Sequence, residues 1–389
     1  MARYPEVSQA GAAVPASIFA RLREHLARYP GDVIPFQIGD THLAPPALLH
    51  DLAWTEIPAG DLYAYGSPNG WTPLVEAIVA KARRTNDLDI GAAHVQVTVG
   101  ATHALFCAIQ ATCDPGDELI LLTPHWPLIR GQALALGVVP VEVPSAAGMT
   151  PDQLAARIAA AVTPRTAAIY IATPNNPDGA MLDRAQLAAI ANVAATARLW
   201  ILSDEVYEHY GYDQAHVSIA TLPAAAPRTI TVFSCSKSYA QAGLRIGYAI
   251  APEAMTATLR KLSNHSVYNV PVAMQRAALA AIVQGDAFLA EARTRYIAAR
   301  DHARAKLVAP AAAPAGGAYL WVDFARWSGA DCMPVLEGCA AAGVLMAPGS
   351  AFGEMCTRYA RLCFTGVDRA RLDEGLDRVN AVLAELPRL

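Results

Sequence analysis

Between residues 95 and 252 the sequence alternates short apolar runs with longer helical ones, and this alternation constrains the fold more than any other feature. Strand-like runs occupy 95–100, 118–124, 138–144, 167–174, 200–207, 229–234 and 245–252. Helical patterns at 102–112, 126–136, 150–161 and 183–196 separate most of them. A strand that is apolar at every position must be buried on both faces. Placed between helices, such strands indicate a mainly parallel sheet covered on both sides, an α/β architecture. Asp114-Pro115-Gly116-Asp117 is a turn signal between a helix and a strand. The reading is a seven-stranded sheet in a large domain over 45–290. Beyond Pro271 a helical stretch runs to about residue 307, followed by strand patterns at 318–324, 344–346 and 360–364 and a closing helix at 367–383. This predicts a smaller α+β domain over 291–389. Residues 1–44 are too few for a domain and are expected to form an arm and part of the smaller one.

Composition narrows the function classes. The chain of 389 residues is 54% hydrophobic and 16% charged, which excludes a disordered chain. Its net charge is −4 and no lysine or arginine run stands out, so nucleic acid and anionic membranes are not expected partners. The uncharged stretch 95–113 contains Gln96, Thr98, Thr102, His103 and Gln110, which would be costly in lipid. Arg3 and Glu6 sit in an N-terminus without a continuous apolar core, unlike a signal peptide. The seven cysteines are scattered and form no C-x-x-C pair, which suits reduced thiols in a cytoplasmic protein. The ten histidines show no metal-ligand spacing, so no metal is expected.

Four segments at strand ends carry chemistry. Ser234-Cys235-Ser236-Lys237 is followed by Gly243-Leu244-Arg245. A lysine at the end of a buried strand either reaches the surface or is desolvated, and desolvation lowers its pKa as a nucleophilic amine requires. The two hydroxyls and the guanidinium around it suit a phosphate dianion. Asp204, in Ser203-Asp204-Glu205-Val206-Tyr207, lies where α/β sheets bind ligands, and a carboxylate there would keep a ring nitrogen protonated. A helix cap is its commoner use. Thr173-Pro174-Asn175-Asn176-Pro177-Asp178-Gly179 reads first as a turn. Val99-Gly100-Ala101-Thr102-His103 runs a strand into a helix whose free N–H groups can hold phosphate. Trp126, after another strand, is either a core residue or a platform for a planar ring.

In this order, and over nearly the whole chain, these segments resemble the fold type I pyridoxal-phosphate enzymes, specifically the class I and II aminotransferase family. The resemblance implies an aspartate aminotransferase-like fold with pyridoxal 5'-phosphate in the large domain. It implies Lys237 as the Schiff-base lysine and general acid/base, with Asp204 on the pyridine nitrogen. Tyr207 and Asn176 match the partners of the phenolic oxygen, and Trp126 matches the stacking aromatic. Ala101, Thr102, Ser234, Ser236 and Arg245 match the phosphate cup. Tyr65, in Tyr65-Gly66-Ser67-Pro68-Asn69-Gly70, resembles the tyrosine that reaches the neighbouring subunit's phosphate, which implies a homodimer with shared sites. Arg361 resembles the arginine that holds the substrate α-carboxylate. Gly39 matches a glycine whose backbone lies beside the substrate, with Asn176 and Trp126 also facing it.

Departures from the family pattern bear on specificity. The Asn-Pro-Thr-Gly turn reads Asn176-Pro177-Asp178-Gly179, and the segment after Gly39 is unusual, placing His42 either at the substrate entrance or in solvent. The 264–269 stretch lacks the arginine that aspartate-specific relatives use, which disfavours a dicarboxylate. The implied activity is amino transfer between an L-amino acid and a 2-oxo acid. The same scaffold supports elimination, cyclisation or oxidation as alternatives. A non-catalytic binding module would need a damaged site or a DNA-binding segment, and neither is present in the sequence.

Overall fold

The computed structural model describes residues 7–16, 20–27, 29–49, 63–145 and 148–389. Arg3, Glu6 and the parts of the expected arm at 1–6, 17–19 and 28 lie outside the described residues. After a short strand β1 (Ile34–Pro35) come β2 (Val95–Val99), β3 (Glu118–Thr123), β4 (Val139–Pro144), β5 (Thr166–Ala172), β6 (Trp200–Asp204), β7 (Thr229–Ser234) and β8 (Ile246–Ile250). The last seven form one sheet in the order β2-β8-β7-β6-β5-β3-β4. Only β8 runs antiparallel to its neighbours. All seven expected strands are therefore present, in a mainly parallel sheet.

The unbroken apolar runs now have a physical cause. Leu119, Leu121, Tyr170, Leu202 and Val232 pack on one face, against Leu105, Ala108 and Ile109 of the helix Gly100–Thr112. Their strand neighbours Ile120, Leu122, Ile169, Ile171 and Ile201 point to the other face. There they meet Leu154 and Ile158 of Pro151–Ala161 and Leu187 and Ile190 of Arg184–Ala197. Each such fully buried side chain contributes about 1.5–3 kcal/mol, so a polar residue on either face would be costly. At the β2–β8 edge the helix Thr72–Asn86, which the periodicity argument did not include, closes the second face with Leu74, Val75 and Ile78.

The C-terminal part holds β9 (Tyr319–Asp323), β10 (Val344–Leu345), β11 (Ala347–Pro348) and β12 (Tyr359–Cys363). Strands β11, β12 and β9 form an antiparallel sheet in that order, while β10 pairs in parallel with β1. Ile34 and Phe36 are completely buried in the same core as Leu320, Val344 and Leu362. Two expectations are corrected. The helical stretch after Pro271 is two helices, Val272–Gln284 and Asp286–Lys306. Gly285 separates them where Tyr239 packs so close that an added Cβ would lie 2.7 Å from its ring. The strand expected over 200–207 stops at Asp204, and residues 205–207 turn across the rim of the sheet.

Candidate active site

Sheet topology alone brings the functional segments together. Strands β2, β3, β5, β6 and β7 end on one rim, followed there by Ala101 and Thr102, Trp126, Asn176, Asp204, and Ser234 to Lys237. Because β8 runs the other way, its beginning lies at that same rim, with Ile246 opposite Val99 and Gly247 opposite Ser234. Arg245, one residue before β8, is thereby delivered beside the start of the helix Gly100–Thr112. A crevice at the carboxyl ends of parallel strands is the usual ligand position in α/β sheets. Here it is a cavity of about 240 Å³. Every residue predicted for the site lines it except Tyr65.

Lys237 lies in a short helix, Cys235–Ser238, whose start is capped by the Ser234 hydroxyl accepting from the Ser236 N–H at 3.0 Å. Its ammonium donates to the Gly39 carbonyl. Burial lowers the Lys237 pKa, opposed by the nearby Asp40 carboxylate. The Ser234 hydroxyl is committed to the backbone, donating to Ile246 O at 3.4 Å. The Arg245 guanidinium gives one bond to Ala242 O, at 2.9 Å, and meets no acid among the described residues. It crosses Gly100 so closely that a Cβ there would lie 2.6 Å from Nη2 and push the guanidinium aside, and the φ of +71° at Gly100 favours glycine independently. Arg245 itself adopts φ 58°, as does Ala240 at 55°, two left-handed non-glycine residues in one connection. Such conformations cost about 1–2 kcal/mol each and persist where surrounding packing dictates them.

Asp204 ends β6 almost fully buried, accepting from the Tyr170 hydroxyl at 2.9 Å and the Val206 N–H at 3.3 Å. Burial raises its pKa to about 6, against the pull of the Tyr170 hydrogen bond. Between the ordinary carboxylate value and 6 the folded chain holds a proton that the unfolded chain releases. Its stability contribution therefore grows as pH falls through 6 and is lost as pH rises. Removing the titrating group tests this: relative to Asp204→Asn, the cofactor-free wild type should gain roughly 2 kcal/mol of unfolding free energy between pH 7.5 and pH 4. Parallel urea-unfolding curves for the two proteins across that range would rule it out.

On the opposite wall β12 carries Arg361, within the strand expected over 360–364. Its Nη1 donates to Asn176 Oδ1 at 2.9 Å and its Nη2 to Gln37 O at 2.6 Å. Its Nε is buried without a partner, and no carboxylate pairs with the guanidinium among the described residues. A buried cation in this state is an anion site in waiting. The N-terminal segment is laced to β12 by Cys363 N–H donating to Phe36 O, 2.8 Å, and Thr365 Oγ1 donating to Asp40 O, 2.7 Å. This lacing is what carries Gly39 across to Lys237. Trp126 forms a third wall at the start of Pro127–Ala135.

Sequence reasoning missed Tyr319 and Tyr170. Tyr319 lines the cavity with its hydroxyl 2.5 Å from that of Tyr207, but within an apolar strand it reads as core. Tyr170 lies inside β5 and betrays its role only once β6 is placed beside it. His42 is exposed, its ring bound to Thr365 O at 2.9 Å, outside the cavity. Tyr65 is 83% exposed, its ring 4.8 Å from that of Tyr268.

A sheet rim with a desolvated lysine, a buried carboxylate and an arginine beside a helix start defines a class of cofactor-dependent enzyme. A family model described as "Aminotransferase class I and II" matches residues 33–379. The chain is 33% identical to the aspartate/prephenate aminotransferase of Thermus thermophilus over 86% of its length and 88% of that protein's. It is also 33% identical to an arginine–pyruvate transaminase of Pseudomonas aeruginosa, over 91% of each. Among solved structures, aspartate aminotransferase from Thermus thermophilus with maleate superposes with a TM-score of 0.88 at 30% identity, covering 97% of this chain and 99% of that one. N-Succinyldiaminopimelate aminotransferase from Mycobacterium tuberculosis does so at 0.87 and 31%, covering 97% and 100%. The chain belongs to the class I and II aminotransferase family. It is a pyridoxal 5'-phosphate-dependent aminotransferase with the aspartate aminotransferase-like fold.

Proposed function

We propose that the enzyme moves an amino group between an L-amino acid with a neutral side chain and a 2-oxo acid, with Lys237 as both the covalent anchor of the cofactor and the proton carrier. One observation carries this reading: Lys237, Asp204 and the unpaired Arg361 face one cavity from three sides.

The residues fit the cofactor. Arg245, Ser236, the Ser234 rim and the N–H groups of Ala101 and Thr102 would hold its phosphate, and Gly100 keeps the guanidinium close to that helix start. Trp126 would cover one ring face. Asp204, with its raised pKa, would face the ring nitrogen, where a positive charge removes the cost of burying the carboxylate. Tyr207 and Asn176 would hold the phenolic oxygen. When bound, the cofactor supplies an aldehyde that captures amines and a protonated ring that accepts electron density from a substrate α-carbon.

The chain's own residues do the rest. Arg361 forks onto the α-carboxylate with the two donors it already orients and the Nε it leaves free. That clamp fixes which α-carbon bond faces the ring. The Lys237 amine, lowered in basicity by burial, takes the α-proton and holds it at Nζ for transfer; positioned acid–base catalysis of this kind is worth roughly 10²–10⁴-fold. The Gly39 carbonyl, which accepts from Nζ, holds the amine at the substrate side of the cavity.

Lys237, Arg245 and Arg361 are the cations among the described residues lining the cavity, and each has a use, leaving none for a second carboxylate. The test is a pool of amino acids and 2-oxo acids with products identified by mass. Transfer from a neutral amino acid, at higher kcat/KM than from aspartate, supports the reading. Ammonia or a cyclic product without an amino acceptor overturns it.

The same reading divides the chain into a cofactor-binding domain over 45–290 and a small domain over 291–389 joined by part of 1–44, and the β1–β10 pairing supports the last point. It also makes the enzyme a homodimer whose Tyr65 reaches the partner's phosphate site. Support comes from Tyr63 and Tyr65, exposed at 84% and 83% and outside the cavity of their own chain. Sedimentation at the mass of a single 41.1 kDa chain would contradict it. A cytoplasmic location rests on seven buried, unpaired thiols. Among the described residues no helix is long and apolar enough to cross a membrane. Detection of the protein in an extracellular fraction would count against it.

A further inference from the structure

We propose that Tyr319 is a positioning residue for Tyr207: its hydroxyl donates to the Tyr207 oxygen and so commits the Tyr207 proton to the cavity. The inference rests on the cofactor reading above and adds a residue to it.

Geometry supplies the first argument. The two hydroxyl oxygens are 2.5 Å apart and the rings meet edge to face, 5.8 Å between centroids. Tyr319 is 1% exposed and Tyr207 3%, so neither hydroxyl has bulk water to turn to. No other hydrogen bond to either hydroxyl exists among the described residues, so the pair shares one proton between two oxygens and has one left over. A buried hydroxyl seeks both a donor and an acceptor role. Whichever tyrosine donates to the other leaves its partner's proton free for the cavity.

Charge decides the direction. The Arg361 guanidinium lies over the Tyr319 ring, 4.3 Å from its centroid. A cation on the ring face draws electron density from the phenol and makes its O–H the better donor. Burial raises both phenol pKa values, and the cation on its ring face makes Tyr319 the donor of the pair. Tyr319 therefore donates to Tyr207, and Tyr207 presents its proton to the cavity, where the phenolic oxygen of the cofactor would lie. Two hydroxyls in series polarise one another, so the second is a stronger donor than a lone tyrosine.

Gly39 completes the arrangement. A Cβ there would lie 2.1 Å from the Tyr319 hydroxyl, so no other residue leaves Tyr319 its place. The glycine thus serves two contacts at once: its carbonyl takes the Lys237 ammonium, and its missing side chain admits the Tyr319 hydroxyl.

The test is the pH titration of the visible absorbance of the cofactor-loaded protein, a property independent of turnover. A donor at the phenolic oxygen lowers the proton affinity of the nitrogen that Lys237 contributes beside it. Tyr319→Phe, which keeps the ring and its packing, should shift that titration to higher pH by about half a unit to one unit, a three- to tenfold change in proton affinity. In a Tyr207→Phe background the same substitution should cause no further shift, because its path runs through the Tyr207 hydroxyl. Incorporation of 3-fluorotyrosine at position 319, which keeps the hydroxyl and makes it more acidic, should shift the titration the other way, and carries the test should Tyr319→Phe not load. An unchanged titration in Tyr319→Phe, or an equal shift with and without the Tyr207 hydroxyl, overturns the inference. A wild-type protein with no pH-dependent visible band would instead refute the Lys237 reading beneath it.

Discussion

Replacing Lys237 with alanine is expected to reduce turnover by at least about 10³-fold, because both covalent capture and proton transfer are lost from one position. The size follows from geometry. Lys237 is the only amine among the described residues lining the cavity, and Gly39 O holds it toward the substrate side. The Arg245 side chain is a guanidinium and not an amine, so it cannot take over the covalent capture. The readout should separate chemistry from folding. Reduction with borohydride should add the cofactor's mass to wild-type protein and not to Lys237→Ala, while the variant should still bind the cofactor non-covalently through Arg245 and Asp204. Wild-type turnover by the alanine variant would end the proposed scheme.

Arg361→Lys carries the second largest expectation, a loss of about 10²–10³-fold in kcat/KM for the amino acid. An arginine here makes two directed bonds, to Asn176 Oδ1 and Gln37 O, and leaves Nε for a ligand. A lysine offers a point charge and cannot hold those two anchors while forking onto a carboxylate. Losing one charged hydrogen bond costs about 1.5–3 kcal/mol, and misdirected orientation adds to it. The loss should fall on carboxylate-bearing substrates and shrink for the corresponding amines without a carboxylate, measured as single-turnover cofactor conversion. Equal losses for both would show that Arg361 acts through folding and not through the carboxylate.

How much of this was legible beforehand depends on the kind of information each feature needs. The strands of the large sheet were readable because burial on two faces leaves Leu119-Ile120-Leu121-Leu122 no polar position. The rim residues were readable because a parallel sheet puts every strand end on one side, so strand-end position alone collects Asp204, Asn176 and Lys237. The antiparallel sense of β8 was not, since an apolar run reads the same in both directions, and it is this reversal that places Arg245. Gly285 was overlooked because two helices in sequence share one periodic pattern, and the break depends on Tyr239 from another segment. Tyr170 and Tyr319 carry hydroxyls whose partners lie 34 and 112 residues away, a distance that periodicity cannot bridge. The buried Lys81, bound to Asn86 at 2.9 Å and paired with Glu208, was invisible for the same reason.

The single reversed strand has a consequence for how this enzyme can change. The amine at 237 and the guanidinium at 245 hang from opposite ends of one hairpin connection, whose length sets their separation as a calliper sets a gap. Changing that length would move Arg245 relative to Lys237, because the sheet holds Ile246 opposite Val99 and Gly247 opposite Ser234. Diversification of substrate range should therefore be sought in the walls around Arg361 and the segment after Gly39, and not in the connection from Ser238 to Leu244.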